Sequence, residues 1–114
     1  MKINNVELED IDIFDIEVAE KCEIAIAKVE ADAKETDELS ISQAIRKQCT
    51  SVFDCFNTIC GVGTDKKIFG AKVNLMTCLK AFEELVTELN SKGKEIKDLA
   101  NKYSPNRAQR RTKK

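Results

Sequence analysis

The chain contains no histidine and no tryptophan, one proline, one tyrosine and four glycines in 114 residues. Without histidine it lacks the usual general base, the side chain that switches charge near neutral pH, and the commonest zinc ligand. With so few glycines and only Pro105, regular structure has few breakers before the C-terminal end. Long apolar runs are missing too. No stretch approaches the ~18 apolar residues of a membrane span, and the opening Met1-Lys2-Ile3-Asn4-Asn5 leads into no apolar run of the kind found in a secretory signal.

What is present is 42% hydrophobic and 34% charged residues, a composition for a helix-rich folded chain rather than a disordered one. The formal net charge of −1 is a cancellation. Residues 1–39 carry thirteen Asp/Glu against four Lys, residues 40–104 carry ten Lys/Arg against seven acids, and residues 105–114 carry five Lys/Arg and no acid. The expected organisation is one helical domain over residues 1–104 followed by a basic, disordered tail over 105–114.

Cys22, Cys49, Cys55, Cys60 and Cys78 are odd in number, and none are paired in a Cys-x-x-Cys spacing. Each falls on or beside an apolar helical stripe. They read as reduced thiols serving as small hydrophobes in a reducing cytosol, with neither a metal nor a cofactor expected.

Residues 1–9 read as an extended segment or small hairpin turning at Asn4-Asn5, because asparagine tolerates positive φ. A first helix is expected over 13–34, capped by Asp12 or Asp15, with Phe14, Val18, Cys22, Ala25, Ile26 and Val29 on one face. A second, over 40–60, opens with the capping-box pattern Ser40-Ile41-Ser42-Gln43 and stops at Gly61. Its stripe includes Ile41, Ala44, Ile45, Cys49, Val52, Phe53, Phe56, Ile59 and Cys60. A short helix over 65–70, capped by Thr64 or Asp65, precedes a long one over 71–103 with Val73, Leu75, Met76, Cys78, Leu79, Phe82, Leu85, Val86 and Leu89 on its stripe. Gly93 leaves that helix either broken or continuous. The fold class is therefore mainly α, a three-to-four-helix bundle, with Phe53, Phe56, Phe69 and Phe82 at its centre.

An unbroken last helix of 33 residues is ~50 Å long, and the first two are ~30–33 Å. Its end overhangs, leaving Ile96, Leu99 and Tyr103 with nothing in this chain to cover them. That points to a protein partner, either a second copy or another protein. A catalytic role is not expected, since no His pairs with a Cys or Ser and no acid pair stands apart from the charged helix surfaces. The alternative is a nucleic-acid-binding or host-interfering adaptor using Arg107, Arg110, Arg111, Lys113 and Lys114 on phosphates. The acidic body and the absence of aromatics within the basic run weigh against nucleic acid.

Three stretches carry a family resemblance: Met1 to Asp10, Gly63-Thr64-Asp65-Lys66-Lys67-Ile68-Phe69-Gly70, and Tyr103-Ser104-Pro105-Asn106-Arg107-Ala108-Gln109-Arg110-Arg111. Together they resemble small proteins from the tail-gene region of phages and prophages of Gram-positive bacteria. The closing Asn-Arg-Ala-Gln-Arg-Arg is similar to the ends of tail assembly chaperones. The resemblance implies a helical, non-catalytic protein of the host cytoplasm. Such a protein binds the tape-measure protein, or another tail protein, and keeps that long chain soluble until tail-tube subunits polymerise around it. Ile96, Leu99 and Tyr103, with Arg107, Arg110 and Arg111, are the candidate partner-binding residues.

Overall fold

A computed structural model describes residues 1–102. The architecture is mainly α: a two-stranded hairpin, β1 (Lys2–Ile3) and β2 (Val6–Glu7), then α1 (Ile16–Lys34), α2 (Ile41–Cys60), α3 (Thr64–Phe69) and α4 (Leu75–Lys102).

The hairpin pairs Lys2 with Glu7 and Ile3 with Val6. Asn4 and Asn5 both hold positive φ, 51° and 64°, the requirement of a tight turn whose twist matches two right-twisted strands. Two strands do not hold together alone in water. These are fastened to the helices: Ile3 is buried, the Asn4 side chain donates to the Ile68 carbonyl at 3.0 Å, and the Asn4 N–H donates to Glu84 at 3.1 Å.

α1 starts at Ile16, three residues later than its periodicity suggests. Asp15 is the N-cap, accepting from the N–H groups of Glu17 and Val18. Asp12 holds the preceding residues in a turn, its carboxylate accepting from Phe14 N–H and its carbonyl from Asp15 N–H. Phe14 is therefore off the helical stripe and 55% exposed. α2 carries the expected capping box, with Ser40 Oγ accepting from Gln43 N–H and Gln43 Oε1 accepting from Ser40 N–H. Its first helical residue, Ile41, lies ahead of the packed face and is 82% exposed, so the buried stripe begins further along.

Gly61 ends α2 at φ 109°, and Gly63 enters α3 in the left-handed region. Neither Thr64 nor Asp65 caps α3. The Asn57 side chain reaches from α2 to accept the Asp65 N–H at 3.0 Å. α4 starts at Leu75 rather than residue 71, because Asn74 Oδ1 accepts the Thr77 N–H and fixes the first turn there. Val73 consequently lies outside the helix and is 45% exposed. The helix runs through Gly93 without a break.

α2 is the central element. α1 lies antiparallel to it, since Asp32 meets Ser51 while Glu35 meets Lys47 further back along α2. α4 lies parallel to it. Cys78, early in α4, lies beside Cys49 in α2, whereas Lys92, late in α4, donates to the carbonyl of Ile11, a residue that shares a cleft with Ile59 and Cys60 at the end of α2. Phe56 is fully buried, and the Phe69 ring stands 5.9 Å from it and 5.1 Å from Phe53. Phe53, Phe69 and Phe82 are only partly buried, so Phe56 alone occupies the centre. Val52, Leu85, Cys22, Cys49 and Cys78 complete the most deeply buried set with Ile3. No helix of the described residues is long and apolar enough to cross a membrane.

Candidate partner-binding surface

α4 is two helices in one. From Cys78 to Leu89 its inner face is covered: Cys78, Ala81, Leu85 and Leu89 are all at most 5% exposed. Leu89 stands near the level where α2 ends. At Lys92 the covering stops. The ammonium of Lys92 donates to the Ile11 carbonyl at 3.1 Å, closing the last layer with a polar group. Every residue from Lys94 to Lys102 is exposed, so about 13 Å of helix projects beyond α2.

The spacing of apolar residues does not change where the covering ends. Cys78, Phe82, Leu85, Leu89, Lys92, Ile96 and Leu99 follow one another in alternating steps of four and three. Ile96 and Leu99 thus continue the face that Leu85 and Leu89 turn toward α2, but they are 36% and 43% exposed. A shallow groove beside them is lined by Glu95, Asp98, Leu99 and Lys102. Tyr103, Arg107, Arg110 and Arg111, and with them Lys113 and Lys114 of the basic run, lie outside the described residues.

Three apolar surfaces were not visible from helical periodicity. Phe14 and Ile16, 55% and 69% exposed, sit at the end of the bundle from which α4 projects. Ile41, Val73, Met76 and Leu79 are exposed near the opposite ends of α2 and α4. The third is a groove of about 450 Å³ between α1 and α2, lined by Ile24, Ala25 and Cys55 with Glu17, Glu20 and Asp54 among the polar residues at its edge. Its signal was present in the sequence: Ile24-Ala25-Ile26-Ala27 is apolar around more than one face of α1, and one neighbouring helix cannot cover all of it.

Near this groove Ser51, itself buried, donates to Asp32 at 2.8 Å, and Lys28 bonds the same carboxylate oxygen at 2.9 Å. These hydrogen bonds, Lys28 first and Ser51 second, hold the Asp32 carboxyl below the usual carboxylate range. The arrangement ties α1 to α2.

The five cysteines are free, and all but Cys60 are buried. Removal from water pushes the thiols of Cys55 and Cys78 up to about 12, so neither is a thiolate at neutral pH. Among the described residues no group of three or more His, Cys, Asp or Glu is placed to hold a metal ion. The chain belongs to a family of unknown function, DUF6673, whose model matches residues 4–114. No curated protein and no solved structure matches it.

Proposed function

We propose that this protein is a non-catalytic assembly factor of the host cytoplasm that binds a long helical client through the distal face of α4, as a tail assembly chaperone binds the tape-measure protein. The observation that carries this reading is the bare continuation of a core-forming face. Ile96 and Leu99 keep the spacing of buried residues with no element of the described chain over them. A client helix laid along α4 buries both side chains, taking the place that α2 holds alongside Leu85. The resemblance of residues 1–10, 63–70 and 103–111 to tail-region proteins supplies the kind of client.

The test is co-expression with a tape-measure protein encoded beside this gene. The wild-type chain is expected to hold that client in the soluble fraction and elute with it. The double variant Ile96→Asp, Leu99→Asp is expected to release it while keeping its own helical content. A client that is no more soluble with the wild-type chain than without it would overturn the proposal.

A further inference from the structure

We infer that the groove between α1 and α2 is the docking site of this chain's own basic run, Arg107 to Lys114. The inference is independent of the client reading, since it uses no residue on the distal face of α4.

The groove combines two chemistries. Its floor is apolar, with Ile24 left 72% exposed beside Ala25 and Cys55. Its edge carries three carboxylates, Glu17, Glu20 and Asp54, and among the described residues no ion pair engages any of them. Of the two lysines that also line it, Lys28 is already bonded to Asp32 at 2.9 Å, which leaves Lys21 against three acids. Arginine and lysine suit such a surface. Their aliphatic stems lie on apolar atoms while the charged heads reach the edge, and a guanidinium matches a carboxylate in two parallel hydrogen bonds. Arg107, Arg110, Arg111, Lys113 and Lys114 supply five such side chains with no acid among them. The field favours this end of the molecule as a whole: residues 3–20 contain seven Asp/Glu and no Lys or Arg, and all seven acids are exposed.

The chain reaches. The groove runs for ~16 Å along α1, from Lys28 to Glu17, and because α1 and α2 are antiparallel its Glu17–Thr58 end is the end from which α4 projects. Lys102 stands about 13 Å beyond α2, and the molecule is 32 by 22 Å in cross-section. The twelve residues 103–114 span up to ~40 Å when extended, so the last of them can return over the end of the bundle into the groove. The neighbouring cleft at Ile11 is less suited, because its acids are taken: Asp10 is bonded to the N-terminal ammonium at 2.8 Å and Asp12 to the Phe14 N–H.

The test compares the amide NMR spectrum of the whole protein with that of a variant carrying Arg107→Gln, Arg110→Gln, Arg111→Gln, Lys113→Gln and Lys114→Gln together. Shift differences are expected at residues 17–28 and 51–58, lost in 1 M salt, where the screening length is about 3 Å, and unchanged on dilution. In a second background, Glu17→Gln, Glu20→Gln and Asp54→Asn, the same five tail changes are expected to produce no shifts in the groove. Absence of shifts in the groove overturns the inference, as do shifts centred on residues 9–12 or on α4 instead, or shifts that survive either the salt or the second background. Shifts that fade on dilution assign the contact to the tail of a second copy and overturn it as well. Failure of client capture by α4 would sink the chaperone reading and leave this result standing.

Discussion

The two parts of α4 have the same apolar spacing and opposite surroundings. Leu85 and Leu89 are buried against the body of the protein, whereas Ile96 and Leu99, one and two turns past Lys92, face water. The difference lies in the neighbours, not in the helix. α2 ends at Gly61 because that residue holds φ 109°, and α4 meets no such residue. Periodicity therefore reports which face of a helix can be buried, while helix length reports whether anything of the same chain is there to bury it.

The contrast is tested most strongly by truncating one leucine in each part. Leu85→Ala is expected to cost about 2–5 kcal/mol, the transfer term plus the cavity left in a site without solvent access. Leu99→Ala is expected to cost less than about 0.5 kcal/mol, as at an exposed surface position. Chemical denaturation of the two variants at low protein concentration measures both. Similar losses would mean that the distal segment is packed in solution.

At the junction, an added Cβ on Gly93 meets nothing within 4 Å. Gly93→Ala is expected to add about 0.5–1 kcal/mol of helix stability and to raise helical content in circular dichroism. No gain would mean that the helix is interrupted between its two parts.

A control lies remote from the projecting segment. The Asp32 carboxyl has a lower pKa in the folded chain than when unfolded. Its stabilising contribution is present above the unfolded value of about 3.9 and is lost as pH falls through the folded value. Asp32→Asn is expected to cost about 1 kcal/mol at neutral pH and to flatten that part of the acid stability profile. An unchanged acid stability profile would mean that Lys28 and Ser51 do not hold the Asp32 carboxylate in solution.

Local chemistry made much of the fold legible. Asn4-Asn5 specified a turn, Ser40 with Gln43 specified a helix start, and the apolar steps of α2 specified its buried face. The helix starts were less legible: Asp15, one of the two caps expected for α1, and Asn74, which was not expected, draw α1 and α4 inward and leave Phe14 and Val73 outside them. The projection of Ile96 and Leu99 followed from comparing helix lengths. The direction of α4 along α2 did not, because it depends on the path through α3. The groove at Ile24 was legible only as the run Ile24-Ala25-Ile26-Ala27, apolar around more than one face of α1.

The hairpin also acts as a ruler. Asn4 is anchored to Glu84, and the chain that follows the hairpin brings Ile11 to Lys92. The N-terminal dozen residues therefore share with α2 the covering of α4 and close its last covered layer at Lys92. The limit of the covered face of α4 is thus set in part by residues some eighty positions away in sequence.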